Sequence, residues 1–432
     1  MNSHGALPEA AVTTLPSGLR IASQSVPGTR TAAVGVWVHT GARNEPEDRN
    51  GISHLLEHMA FKGTTTRTAR QIAEEVESAG AYMNAYTGRE ETAYHLRILP
   101  GAFPLAVDVL SDILLNPTFA DEELARERSV IIQEIGEARD NPADVVFDRF
   151  QTCAFPDQPL GRPILGTPEI VSGIDRETLL AYMRQHYRGE AMVLAAAGEV
   201  DHEALVNLGA AAFEGIGSTR SDAPAPARYH GGVGEVPREL EQTHLVLGFE
   251  GVAYADPDFY AMTMFSAILG GGLSSRLFQE VREKRGLAYD IHSFGSSFHD
   301  SGIFGVYAGT AEQDAGEVIR RTAEEIHGVA GKVRLDELDR AMAQARSGLL
   351  MGLESCAGQA EALAHQLRIH GRPIPVDEHL RRLGDVDRAA VSRVARRVLA
   401  SEPTLAAIGP LGGLPTNATL RSLFGTPVAG QA

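Results

Sequence analysis

His54, Glu57 and His58 constrain this chain more tightly than any other residues in it. They belong to Gly51-Ile52-Ser53-His54-Leu55-Leu56-Glu57-His58-Met59-Ala60-Phe61. In a helix, residues three and four apart share a face, so these three point one way while Leu55 and Leu56 point into a core. A fold that accepts this helix must bury one side and leave the other to polar groups. Two imidazoles one turn apart can reach a single tetrahedral Zn²⁺, which binds neutral histidine nitrogen at about 2.0–2.1 Å. Glu57 cannot easily bend back to the same ion, but it can reach a water held there. The spacing is H-x-x-E-H, the inverse of H-E-x-x-H, and it has the parts of a zinc hydrolase. Two ordinary helix histidines would spell the same letters, so the motif needs support from elsewhere in the chain.

Composition narrows the setting. A length of 432 residues provides for two or three domains, each able to bury a core. With 43% hydrophobic and 22% charged residues, the chain is that of an ordinary globular protein. Its net charge of −17 argues against nucleic acid as a partner and mildly favours cationic ligands, although a solvated acidic surface explains the same number. Cys153 and Cys356 are the only cysteines, too few for a disulfide framework or thiolate cluster and suited to a reducing compartment. We expect no secretory signal or transit peptide in Met1 to Leu15, no membrane span, and a cytoplasmic location.

Along the chain, Leu15 to Ala22 reads as a turn feeding a strand, and a second strand is expected at Thr31 to Val38, apolar on both faces. A polar loop, Gly41 to Asn50, leads to the histidine helix. Helix Thr68 to Ala79 follows, then a strand from Tyr82, a turn at Gly88 and a returning strand to Ile98. Further helices are expected at Phe103 to Leu115, Asp121 to Arg139 with Asp121 as N-cap and Asn141-Pro142 as stop, and Arg176 to Tyr187. A buried strand covers Ala191 to Gly198. The Gly-, Ser- and Pro-rich stretch 216–236 reads as a linker between domains 1–215 and 237–432.

After the linker the order of elements recurs, with a strand at His244 to Phe249, a helix at Phe259 to Leu269, strands between Tyr289 and Thr310, and a closing strand near Thr404 to Ile408. Runs of strands with separate helices indicate an α+β layered fold used twice. Where the first half has its histidine helix, the second offers Tyr260-Ala261-Met262-Thr263-Met264-Phe265-Ser266, without His or Glu. Gly270-Gly271-Gly272-Leu273-Ser274-Ser275 lacks the Gly-Lys-Ser/Thr ending of a phosphate loop and reads as a helix C-cap and turn.

A catalytic zinc site needs a third protein ligand. Helix Asp121 to Arg139 offers Glu123, Glu127, Glu134 and Glu137, and Glu127 and Glu134 share a face two turns apart, close to Ile131. Spacing alone does not choose among these carboxylates.

The motif 51–64, the block Glu127-Arg128-Ser129-Val130-Ile131-Ile132-Gln133-Glu134-Ile135 and the block Leu277 to Tyr289 together resemble the pitrilysin family of peptidases, which includes mitochondrial processing peptidase and insulin-degrading enzyme. The resemblance covers nearly the whole chain. It implies a zinc metalloendopeptidase with one Zn²⁺ held by His54, His58 and Glu134, with Glu57 as general base and Glu127 supporting the ligands. It also implies two similar α/β-layered domains forming one half of a clamshell peptidase, so that a chain of this size must pair. A homodimer is the simplest arrangement, and a heterodimer with a related subunit is the other. Arg282 and Tyr289 match residues that complete the active site from the opposite half; on their own letters they are a salt-bridged helix arginine and a packed tyrosine. Asn84, Ala85 and Tyr86 match the strand edge on which a peptide substrate is laid by main-chain hydrogen bonds. The expected activity is hydrolysis of short or unfolded peptides, without nucleic-acid or membrane partners. The alternative is a non-catalytic core subunit of a larger complex, since this family contains members that have lost their chemistry.

Overall fold

Seven consecutive residues, Ala32–Val38 (β3), are buried from end to end. A strand reaches that state only with neighbours on both edges and layers on both faces, and β3 has all four. The computed structural model describes residues 9–218 and 224–425. The other strands of this sheet are Ala11–Thr14 (β1), Arg20–Ser25 (β2), Tyr82–Thr87 (β4), Thr92–Ile98 (β5) and Met192–Gly198 (β6). Their order is β1-β2-β6-β3-β5-β4. Neighbours run antiparallel except β2 and β6, which are parallel.

One face of this sheet carries Val34, Val36, Tyr94, Leu96 and Leu194, packed with Ile52–Ala60 (α1), Ala69–Ser78 (α2) and Phe103–Leu115 (α3). The other face is lined with small residues, Ala33, Ala93, Ala195 and Ala197. There the helix Cys356–His370 lies close through Ala360, Leu363, Ala364 and Leu367.

A second sheet is built from Gly232–Pro237 (β7), Thr243–Glu250 (β8), Ala288–Ser297 (β9), Gly302–Thr310 (β10) and Thr404–Gly409 (β11), in the order β7-β11-β8-β10-β9. Its first pair, β7 and β11, is parallel and the rest antiparallel. Strand for strand this repeats β2-β6-β3-β5-β4, so the expected α+β duplication is present, with β1 added to the first copy. Helix Pro142–Ala154 covers the outer face here through Val146, Phe150 and Ala154.

The chain forms two compact units of interleaved sequence. One consists of Met1–Ile135, Pro163–Ala225 and Leu349–Pro375, the other of Gly136–Arg162, Pro226–Gly348 and Val376–Ala432. Each copy of the repeat therefore receives its outer helix from the other half of the sequence, an exchange that contiguous boundaries at 215 and 237 do not express. Asn141-Pro142, expected only as a stop, also starts a helix: the Asn141 side chain accepts from the Ala143 N–H and proline takes the first helical position. The last residues of the expected linker are β7. A short, Gly-rich edge strand ending in proline has the composition of a connection. Asp121 is the first residue of its helix, Asp121–Asp140 (α4), rather than its cap. Among the described residues no helix is long and apolar enough to cross a membrane.

At nine residues α1 is too short to persist by itself, and tertiary contacts hold it. Ile52, Leu55, Leu56 and Met59 are buried in the core, each contributing about 1.5–3 kcal/mol. Gly51, at φ +97°, begins the helix where a Cβ would lie 2.7 Å from the Leu165 carbonyl oxygen. Glu45 caps it from the preceding loop. Its buried carboxylate accepts from the Gly51 N–H at 2.7 Å, the Ser53 N–H at 2.8 Å and the Asn50 amide at 2.8 Å. A negative charge at this end also complements the helix dipole. Replacing Glu45 with Ala leaves these donors unmatched, and we expect a loss of about 1–3 kcal/mol. The urea midpoint followed by Trp37, the single tryptophan and a β3 residue, measures it.

Candidate metal centre

Two helices supply the polar groups. α1 presents His54, Glu57 and His58 on the face away from its core residues. α4 buries Leu124, Glu127, Ile131 and Ile135, a stripe of helical period that includes one carboxylate. Glu134 lies two turns beyond Glu127 on that stripe, so fastening α4 by its apolar residues carries both acids toward α1.

The imidazole rings of His54 and His58 stand edge to face at 4.6 Å between centroids. The Nε2 atoms of both are 3.7 Å from Glu134 Oε2. One donor atom from each residue falls within 4.8 Å of the other two, and among the described residues this is the one such group of His, Cys, Asp and Glu. Donors bound at about 2.0–2.2 Å to a tetrahedral ion sit roughly 3.3–3.6 Å apart, close to what is seen. Glu134 Oε2 is buried and has no hydrogen-bond partner in the protein. A carboxylate oxygen held that way between two ring nitrogens is costly unless a cation joins them. The residues therefore fit Zn²⁺, with His54, His58 and Glu134 able to hold it.

Protonation supports the same use. Burial, reinforced by the neighbouring His58, lowers the His54 pKa to about 4, so its ring is neutral and keeps a lone pair at physiological pH. His58 Nδ1 donates to Glu127 Oε2 at 3.1 Å, which leaves the lone pair on Nε2, the nitrogen that faces Glu134. Burial pushes the Glu57 carboxyl upward, partly offset by the Thr87 hydroxyl and by His58. Thr87 Oγ1 donates to Glu57 Oε2 at 2.6 Å. A cleft of about 340 Å³ adjoins these groups, lined by Glu57, His58, Phe61, Lys62, Met83 and Ala85 among others.

The remaining expected residues divide by unit. Asn84 and Ala85 lie on β4, the edge strand of the first sheet, and both line the cleft. Tyr86 is turned to the other face, where its hydroxyl lies within hydrogen-bond distance of two carboxylates, Glu91 at 3.0 Å and Glu361 at 2.8 Å. Arg282 and Tyr289 belong to the second unit. Their side chains meet, the guanidinium 5.4 Å from the tyrosine ring centroid, and Tyr289 is 76% exposed, not packed. Arg282 sits in a short π-helix, Phe278–Glu283.

Glu45 and Lys62 have no role legible in the sequence, and Thr87 has one there only as part of the substrate strand edge 84–87. Glu45 sits in the loop before α1, and only the fold turns it back on the helix. Thr87 ends that strand edge, and period-two alternation places it with Met83 and Ala85 on the α1 side, where it meets Glu57. Lys62 lies one turn after His58, a spacing that could have suggested a shared partner; its ammonium is 2.7 Å from Glu127 Oε1.

Residues 20–168 match the family model described as Insulinase (Peptidase family M16), and residues 173–345 that described as Peptidase M16 inactive domain. The second span is the half whose repeat has no His or Glu in place of the motif. A protein of Rickettsia bellii named an uncharacterized zinc protease is 40% identical over 400 residues, covering 92% of this chain and 97% of its own. A similarly named protein of Streptomyces coelicolor is 40% identical over 409 residues, 92% and 89% of the two chains. A probable mitochondrial-processing peptidase subunit beta of Arabidopsis thaliana is 38% identical over 424 residues, 94% and 80%. Among solved structures, a protease from Helicobacter pylori superposes with a TM-score of 0.87 at 21% identity, covering 94% of this chain and all of that one, a likeness of fold. Zinc is named for the Rickettsia and Streptomyces relatives, and the His54, His58 and Glu134 donor set suits it. Shared along nearly its whole length, this α+β architecture and its motif place the chain in the insulinase family of peptidases, M16.

Proposed function

We propose that this chain is a zinc-dependent endopeptidase acting on short or unfolded peptides. The observation that carries the reading is the convergence of His54, His58 and Glu134 on one point with Glu57 alongside. Bound Zn²⁺ supplies Lewis acidity, acidifying water and polarising a carbonyl. Glu57 takes the proton from the attacking water and passes it to the leaving amine. Thr87 fixes one oxygen of that carboxylate, so the other handles the proton. Burial raises the basicity of Glu57, which suits a group that must accept and then release a proton near neutral pH.

The edge strand β4 supports a preference for extended chains, since a peptide laid along it gains main-chain hydrogen bonds beside Glu57. The processing peptidase among the relatives fits the same habit. We further propose that two copies pair, and that Tyr289 and Arg282 of one chain stabilise the developing oxyanion or substrate carbonyls at the metal of the other. The exposure of Tyr289, with Arg282 against its ring, supports a role outside its own core. Two free thiols, Cys153 and Cys356, are in keeping with a cytoplasmic location.

Purified protein should contain zinc and cleave a mixed peptide library in a chelator-sensitive way, as read by mass spectrometry. Glu57→Gln should keep its zinc while kcat falls by about 10²–10⁴-fold; retained hydrolysis would refute the general-base role and leave the metal site standing. His58→Ala should lose both zinc and turnover. Mixing Glu57→Gln with Tyr289→Phe protomers should restore one working site per mixed dimer. Dimers verified by sedimentation that recover nothing would exclude the contribution from the opposite chain.

A further inference from the structure

Glu127 is held from both ends. One oxygen accepts from His58 Nδ1 at 3.1 Å, and the other lies 2.7 Å from the Lys62 ammonium. Its side chain is 7% exposed and that of Lys62 31% exposed. This is not the surface ion pair whose contribution is ordinarily negligible. Removing one member would strand a charge in the interior.

His58 and Lys62 are four residues apart, on α1 and the turn that ends it, where the Lys62 N–H still bonds to the Met59 carbonyl. Both grip one carboxylate of α4. With only His58 attached, that carboxylate could pivot about its last bond and take the ring with it. The second contact, on the opposite oxygen, stops the pivot. The same clamp joins α4 to α1 two turns before Glu134, whose Oε2 lies 3.7 Å from both Nε2 atoms.

We propose that Lys62 is a positioning residue of the metal centre: through Glu127 it fixes the ring of His58 and the height of Glu134. The inference rests on the metal-binding reading above. It predicts an effect on metal retention that does not pass through substrate, although Lys62 also borders the cleft.

The test is zinc release from the full-length protein to a chromogenic chelator. Carboxylates that orient a ligating imidazole typically contribute 10- to 100-fold in metal affinity. Lys62→Met should therefore release zinc at least about 10-fold faster than wild type, with Lys62→Arg close to wild type. Glu127→Gln should show a similar loss, and the double variant should be no worse than Glu127→Gln alone, because the two act as one unit. The visible spectrum of the Co²⁺-substituted Lys62→Met protein should differ from that of the wild type, reporting a displaced ligand. Unchanged release and spectrum, with only the peptide KM altered, would overturn the proposal and assign Lys62 to substrate. Multiplying effects in the double variant would also overturn it. Folding is checked by Trp37 emission, with Lys62→Gln as second variant. If Met and Gln both fail to fold while Arg folds, the pair is a structural cross-link and the metal-directed role is lost. Wild-type protein that takes up no zinc would instead fail the metal-centre reading itself, before any variant is compared.

Discussion

The meeting of α4 with α1 is the interaction on which the site depends. One helix supplies imidazoles and the other carboxylates, and neither set has a use without the other. Apolar burial brings them together: Ile131 and Ile135 on α4 and Leu55, Leu56 and Met59 on α1 belong to the same core. Polar contacts then refine what burial arranges. Glu45 satisfies the start of α1, and Glu127 ties its far end to α4. The costly part is one carboxylate oxygen of Glu134, buried without a hydrogen-bond partner and facing two ring nitrogens. In this family such an arrangement is explained by the metal it accepts.

The duplicated architecture shows how little of the fold the chemistry requires. Both sheets follow one strand order, and both receive a covering helix. The second copy places Phe259–Gly270 after β8, as the first places α1 after β3, and fills it with Ala261, Met262, Met264, Phe265, Ile268 and Leu269 as core. This helix carries Thr263 and Ser266 but no His or Glu, so it presents no metal-binding face. The copy that holds the metal must keep one face hydrophilic and give that face support from loops and neighbouring helices.

Much of this was legible in advance. The strands β3 and β6, α1, α2, the hairpin around Gly88 and the glycine stop after Phe259–Gly270 all announce themselves by local pattern. Local pattern was insufficient wherever an element's identity rests on a distant neighbour. β7 looks like a connection because an edge strand needs few apolar residues. Pro142–Ala154 and Cys356–His370 each cover the sheet of the other half, and periodicity reveals that a face is apolar but not which sheet will cover it. Tyr86 falls within the expected substrate strand, yet strand alternation and two carboxylates turn its ring to the opposite face.

What the sequence by itself determined is the chemistry of each group: two histidines and a glutamate on one helical face, several glutamates on another helix, and a second half with no counterpart. Side-chain type and short-range helical geometry are properties of a few consecutive residues, so they survive without coordinates. Only the tertiary structure decided that Glu134 meets both Nε2 atoms, that Glu127 is shared by His58 and Lys62, and that Thr87 holds Glu57. Those contacts join residues 30 to 80 positions apart in the chain. Their distances are set by how whole helices and sheets pack, which no stretch of local sequence encodes.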